Sequence, residues 1–411
     1  MEKRRKPEDL VNLTSSPFLG RLAVSNHYKK KVVELSSTSA FPALSAFLPS
    51  NMRPWISSYL RFAFTPKYKF QDYVGKDKNG VYALAPAGSD SVTLAIAGDW
   101  ATGTEESAEI ARLMALKNPE WTIHLGDVYY VGDESEVQEN CLGVSAHGFT
   151  GVKWPHGSLG SFALNGNHEM YANGKAYFTT FLKTLGLEGE TEGQLASFFC
   201  LEGDRWRIIG IDTGYNSVGI PLLSQIPGIM NIPAIGGDCH LRDELLAWLR
   251  EVVKPHESDK ATLLLSHNQY FSAFEEQYTK PAKQMADLFK GREVVWIWGH
   301  EHRFAIYDKF TPDGSITAYG RCIGHSGMPT DIKNPDKTRA PVRFYDARTH
   351  KLSDGSVVGE NGYLLVTISG ESLTLDYRDL QDTQVFWETF RPSSNGALDH
   401  RFEDKGILKS V

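Results

Sequence analysis

The chain has 411 residues, of which 41% are hydrophobic and 23% charged, an ordinary globular composition with room for a large core and more than one unit. A net charge of −7 argues against a general basic surface for nucleic acid. No apolar run approaches the ~20 residues of a membrane span.

Residues 1–85 stand apart in composition. Lys3 to Lys6 and Lys29 to Lys31 are basic clusters, and the amino terminus lacks the ~7–15-residue apolar centre of a signal peptide. The expected compartment is therefore the cytoplasm, with secretion left open. Residues 41–64 are rich in aromatic and apolar side chains, but Pro42, Pro49, Pro54 and Pro66 argue against one long helix. Two readings stand: an extension packed on the main domain, or a peripheral contact for a membrane face or a partner subunit.

Residues 86–390 have a different grammar. VTLAIAGD, WTIHLGD, SFALNGN, RWRIIGIDT, ATLLLSH and EVVWIWGH are short apolar runs that each stop at a polar or glycine corner. Such runs suit strands buried on both faces. Between them, EESAEIARLMALK and HLRDELLAWLREVV carry apolar residues at helical spacing. Alternation of this kind predicts an α/β fold with its polar corners along one sheet edge. Two long connections, 132–160 and 214–238, are candidates to shape a site on that edge. Further on, FAIYDKF and SITAYGR flank a Pro-Asp-Gly turn, and GYLLVTISG and SLTLDYRD flank a tight turn, which predicts antiparallel pairing in a second sheet. Residues 391–411 read as a polar, weakly patterned tail. Cys141, Cys200, Cys239 and Cys322 form no CxxC pair, so a cysteine zinc site is not expected and free buried thiols are.

The corners carry the chemistry. In order they are Asp99, Asp127, Asn167 with His168, His267, and His300 with His302. Taken singly, Asp99 and Asp127 read equally as helix caps and Asn167 as a turn residue. Brought together, two Asp, one Asn and three His are too many for one tetrahedral ion and suit two metals sharing a carboxylate.

The ordered set GD, GDVYY, GNHE, a strand-end His and GHEH resembles the calcineurin-like metallophosphoesterase superfamily over roughly residues 90–380. Most members open with Asp-x-His, whereas this chain has Asp99-Trp100-Ala101. The purple acid phosphatase branch also lacks that His, carries Gly where Ala101 stands, and fills the gap with a tyrosine three residues after the bridging Asp. That spacing selects Tyr130 over its neighbour Tyr129, so the chain is most similar to this branch.

The resemblance implies a four-layer fold of two mixed β-sheets packed as a sandwich flanked by helices. It implies a first metal on Asp99, Asp127, Tyr130 and His302, and a second on Asp127, Asn167, His267 and His300. A phenolate at Tyr130 favours Fe(III) in the first site, with Fe(II), Zn(II) or Mn(II) in the second. The implied activity is hydrolysis of small phosphate monoesters by a metal-bound hydroxide, with His168 as the acid for the leaving group. Glu169 either orients His168 or pairs with a backbone amide. Asp212 is expected behind the site, and His325, His147, His156 and Tyr215 are candidate substrate contacts. The alternatives are a phosphodiesterase acting on nucleotide, phospholipid or nucleic-acid diesters, and a non-catalytic scaffold with the same fold.

Overall fold

The computed structural model describes residues 4–6, 62, 65–146, 148–218, 237–352, 355 and 357–411. Its strands are β1 (Val81–Ala83), β2 (Ser91–Ala97), β3 (Trp121–His124), β4 (Gly160–Ala163), β5 (Gly186–Leu187), β6 (Phe199–Glu202), β7 (Trp206–Gly210), β8 (Ala261–Ser266), β9 (Glu293–Trp298), β10 (Phe304–Phe310), β11 (Thr317–Ile323), β12 (Val342–Tyr345), β13 (Thr349–Lys351), β14 (Val357–Gly359), β15 (Gly362–Ser369), β16 (Ser372–Asp379), β17 (Gln384–Pro392), β18 (Leu398–Asp404) and β19 (Lys409–Ser410). An eight-stranded sheet runs β18-β17-β16-β15-β2-β3-β4-β5, and a nine-stranded sheet runs β1-β6-β7-β8-β9-β11-β10-β12-β19. Each has a parallel centre: β2, β3 and β4 in the first, and β7, β8, β9 and β11 in the second.

The apolar runs form these strands because both of their faces are buried. In β2, Leu94 and Ile96 face the sandwich interior, where they join Ile123, Phe162, Ile208, Leu263, Leu265 and Ile297. The alternate residues Ala95 and Ala97 face outward and meet Ile110, Leu113 and Met114 of helix α1 (Glu105–Leu116). On the far side, Ile209, Leu264 and Trp296 meet Leu245, Trp248 and Leu249, which belong to the amphipathic stretch 240–253. Two mixed sheets between outer layers therefore make the expected four-layer α/β sandwich. Burying each large aliphatic side chain contributes about 1.5–3 kcal/mol. The four cysteines are free and buried. Among the described residues, no helix is long and apolar enough to cross a membrane.

Described residues on both sides of 86–390 join this architecture. β1 adds an edge strand parallel to β6, and Tyr73 stacks on Trp248 while its hydroxyl donates to the Phe198 carbonyl at 2.7 Å. Apart from Phe62, the candidate contact segment 41–64 lies outside the described residues. The tail expectation for 391–411 meets two strands, β18 beside β17 and β19 beside β12. Leu398, His400 and Phe402 alternate with Asp399, Arg401 and Glu403 along β18, a charged edge-strand pattern.

One ion pair ties the two sheets together inside the sandwich. Arg321 of β11 donates through Nε and Nη2 to both oxygens of Glu388 on β17, each at 2.6 Å, and both side chains are fully buried. Tyr377 and His400 add hydrogen bonds to the same carboxylate at 2.7 Å. Burial alone would raise the Glu388 pKa, but the Arg321 charge and the hydrogen bonds from His400 and Arg321 outweigh it and hold it down at about 2. The stabilisation is therefore complete above the ordinary glutamate range and lost as pH falls from there through about 2. Glu388→Gln, which strands the Arg321 charge, is expected to cost about 3–5 kcal/mol at neutral pH. Its urea midpoint should change less than that of the native protein between about pH 4.5 and pH 2.5.

Candidate metal centre

The parallel strands of both sheets deliver their polar corners to one edge. β2 ends into Asp99, β3 into Asp127, β8 into His267 and β9 into His300, while β4 leads to the one-turn helix α2 (Asn167–Met170). The chain turns sharply at these points. Asp99, Asp127 and His300 all have left-handed backbone, with φ of 57°, 74° and 66°. Each such residue costs about 1–3 kcal/mol, and such strain concentrates where a fold holds a functional group in place. Glycine makes the close approach possible. A Cβ on Gly126, whose own φ is 102°, would lie 2.9 Å from both the Gly166 nitrogen and His267 Nδ1.

The six corner residues converge. His300 Nδ1 lies 2.8 Å from Asn167 Oδ1 and 3.2 Å from His267 Nε2. His267 Nε2 is 3.0 Å from Asn167 Oδ1 and 3.2 Å from Asp127 Oδ1. One ligand atom from each of Asp127, His267 and His300 lies within 4.8 Å of the others. His267 Nδ1 is 2.9 Å from the Leu125 carbonyl, which can only accept, so that nitrogen carries a hydrogen and Nε2 is the atom turned inward, where a cation would displace its proton. Buried carboxylate, amide and imidazole groups aimed at one point fit a divalent cation. On the other side of Asp127, His302 Nε2 lies 3.5 Å from Asp99 Oδ1. Among the described residues, the buried His302 Nδ1 has no hydrogen-bond partner.

The phenol beside Asp99 belongs to Tyr129, where the sequence reading selects Tyr130. The Tyr129 hydroxyl is 2.7 Å from Asp99 Oδ1, 3.2 Å from Asp127 Oδ2 and 2.9 Å from His302 Nε2. An Ala101–Val128 bridge and a Tyr129 N–H bond to the Ala101 carbonyl hold this turn against the loop of Asp99, with the Tyr129 side chain facing Asp99. Tyr130 serves through its backbone. Its N–H donates to Glu136, and its carbonyl lies 2.6 Å from His168 Nδ1.

The electrostatics follow from burial of so many charges. Burial alone would raise the Asp127 pKa, but His267 and His168 outweigh it and hold it well below the carboxylate range. Burial alone would lower that of His267, yet the Asp127, Asp99 and Glu169 charges carry it to about 9. Burial and the neighbouring His267 lower that of His300. Burial, with Asp99 and Asp127 close by, raises the Tyr129 phenol well above its ordinary value. A bound cation would reverse that preference and favour the phenolate.

The supports of these loops are themselves buried carboxylates. Glu169 Oε2 accepts from the Asp127 and Gly166 N–H groups at 3.2 and 3.0 Å, so of its two sequence readings the backbone one fits. Burial and then Asp127 raise its pKa to about 8. Glu136 accepts from Tyr130, Val131 and Asp133 N–H groups. Sequence reasoning missed Glu136, although Asp133-x-x-Glu136 is a capping-box pattern. Asp212 accepts from Asn165 Nδ2 at 3.2 Å and from the Tyr215 N–H at 2.8 Å, and burial raises its pKa to about 6.

His168 lies at the site, with Nε2 3.7 Å from Asp127 Oδ2 and its ring 4.3 Å from that of Tyr129. The other candidate substrate contacts fare differently. His325 stacks on Phe304 at 5.3 Å, is 4% exposed, and has its pKa pushed down to about 4 by burial. Tyr215 turns its hydroxyl to the Tyr68 carbonyl at 2.8 Å and its ring to Phe70. His156 is a correction. It precedes Gly157, which packs on Glu120 and Trp121, and Ser158, which donates to the Pro119 carbonyl. Those contacts mark the amino-terminal ends of the parallel strands, opposite the metal edge, because the 132–160 connection must return there to enter β4. Its pKa is lowered by burial and by Lys153. His147 lies outside the described residues.

The sequence profile of the calcineurin-like phosphoesterase family matches residues 92–304. A comparison with curated proteins finds no match. Among solved structures, the chain is similar to GAP50, the anchor in the inner membrane complex of Plasmodium, at 12% identity and a TM-score of 0.46, covering 75% of this chain and 91% of that one. It is similar to the purple acid phosphatase PPD1 from yellow lupin seeds at 12% identity and a TM-score of 0.45, covering 74% and 53%. It is similar to PhoD at 12% identity and a TM-score of 0.48, covering 80% and 73%.

A Cβ on Gly166 would fall 2.1 Å from Asp127 Oδ1. Gly166→Ala should therefore displace that carboxylate and weaken metal retention by about 10–100-fold. Chelator titration with metal analysis measures the effect, and circular dichroism should show an unchanged fold.

Proposed function

Since the chain belongs to the calcineurin-like phosphoesterase family, we propose that it is a two-metal phosphoesterase acting on small phosphate monoesters. The observation that carries this reading is the convergence of Asp127, His267 and His300 within 4.8 Å. Asn167 joins them on one side of Asp127, and Asp99, Tyr129 and His302 lie on the other. In this reading Asp127 would be a ligand shared by two cations. Asp99, His302 and the Tyr129 phenolate would help hold the first, a hard ligand set suited to Fe(III). The second is held with Asn167, His267 and His300, and would be Fe(II), Zn(II) or Mn(II). When bound, such a pair supplies positive charge for phosphate oxygens and makes water acidic enough to give a nucleophile near neutral pH.

The chain's own groups do the rest. His168 points Nδ1–H at the Tyr130 carbonyl, which leaves Nε2 for the reacting side. From there it donates a proton to the departing alkoxide. The His168 N–H also donates to Asp127 Oδ1 at 3.0 Å, so the acid and the bridging carboxylate move as one unit. Glu169 ties the two loops behind them through backbone N–H groups. This arrangement orients the acid relative to the metals before substrate arrives.

The protein as isolated should hold two metals per chain, show a broad visible phenolate-to-iron band, and hydrolyse p-nitrophenyl phosphate faster than bis-p-nitrophenyl phosphate. Faster turnover of the diester would instead assign a phosphodiesterase. Tyr129→Phe should abolish the band and Tyr130→Phe should keep it. His168→Ala should lower kcat by about 10²–10⁴-fold on alkyl phosphates and by less on p-nitrophenyl phosphate, whose leaving group needs little proton help. A metal-replete protein inert towards both ester classes would overturn the enzymatic reading.

A further inference from the structure

The described residues nearest the amino terminus, 4–6, lie against the metal edge. The Arg5 carbonyl accepts from the Glu105 N–H at 3.0 Å, and Arg5 forms a parallel bridge with Thr104. The Arg5 guanidinium then spans two loops. Nη1 donates to the Thr102 carbonyl at 2.9 Å, and Nη2 lies 3.2 Å from Glu139 Oε1. The Phe149 ring lies 5.5 Å from it. The Arg5 side chain is 18% exposed and that of Glu139 only 6%, so this is a mostly buried, charge-assisted contact. Arg4 adds a bond to the Gly151 carbonyl at 3.3 Å.

Arg5 joins the loop of Asp99 to the helix behind the tyrosine loop, the two elements beside the proposed first metal site. Thr102 lies three residues after Asp99, and the intervening Ala101 pairs with Val128 beside Asp127. Glu139 sits on the helix Glu134–Asn140, whose other buried polar groups hold the tyrosine loop. Asn140 donates to the Tyr129 carbonyl at 2.9 Å, and Glu136 receives the Tyr130 and Val131 N–H groups. The second site rests on different supports, including the Leu125 carbonyl behind His267. The shared carboxylate Asp127 is in addition tied by Glu169.

We propose that Arg5 is a positioning residue for the first metal site, clamping the loop of Asp99 to the helix that holds Tyr129. This inference rests on the two-metal reading. The guanidinium fork reaches a backbone carbonyl and a carboxylate at once, which a lysine ammonium matches less well. Loss of such a support typically weakens metal affinity by about 10–100-fold without removing a ligand.

The test compares the native protein with Arg5→Met, Arg5→Lys, Glu139→Gln and the exchange Arg5→Glu with Glu139→Arg. Metals per chain are measured during chelator titration, alongside the visible band. Arg5→Met and Glu139→Gln should release one metal about 10–100-fold more readily, with the band lost in step, while the second metal is retained as in the native protein. Arg5→Lys and the exchanged pair should recover part of that affinity. The urea midpoint of Arg5→Met should stay close to native. Retention of both metals at native affinity in Arg5→Met would overturn the clamp alone, as would equal weakening of both. A native protein that takes up no metal would overturn the two-metal reading and the clamp with it.

Discussion

The carboxylate of Asp127, 1% exposed, organises the metal edge. It receives the His168 N–H, lies within hydrogen-bond reach of the Tyr129 hydroxyl, and sits 3.2 Å from His267 Nε2. A charge in that position is costly unless surrounding groups neutralise it. The histidines and the phenol gathered around it meet that requirement, and they are also the groups that would hold cations. Stability and chemistry therefore make the same demand on this carboxylate. It must stay charged, buried and surrounded.

The sandwich makes that gathering possible. Parallel centres in both sheets bring five ligand-bearing strand ends to one edge, and the core between the sheets fixes how far apart they lie. The Arg321–Glu388 pair joins a strand of one sheet to a strand of the other, so the layers are tied by directed hydrogen bonds as well as by apolar packing. Loops on such a base can adopt costly left-handed turns at Asp99, Asp127 and His300, because the surrounding structure leaves them no relaxed alternative.

Around the candidate ligands lies a second set of buried carboxylates that turn away from the cluster. Glu169, Glu136 and Asp212 each accept backbone N–H groups from loops that carry ligands or their neighbours. Each holds a loop whose own amides would otherwise be unsatisfied. Arg5 extends this arrangement to a segment remote in sequence. The same residue type thus serves in two ways at this edge. Asp99 and Asp127 turn towards the candidate ligand cluster, and the supporting carboxylates turn towards the backbone.

The amino-acid order by itself determined the strands, since a run such as ATLLLS has no polar face to offer water. It determined where those strands stop, since glycine followed by Asp or His breaks the apolar pattern. The candidate ligands Asp99, Asp127, Asn167, His267, His300 and His302 were legible as the polar corners after those runs, and the four-layer class only through the family resemblance that their order carries. Only the tertiary structure decided which tyrosine faces Asp99. That choice depends on the Ala101–Val128 bridge, a pairing between segments far apart in the chain. It also placed His156 at the wrong end of the sheet, turned residues 398–404 and 409–410 into edge strands, and brought Arg5 to Glu139, 134 residues away. Local spacing records which way one segment alternates, but which side faces a partner is set by pairing across the fold.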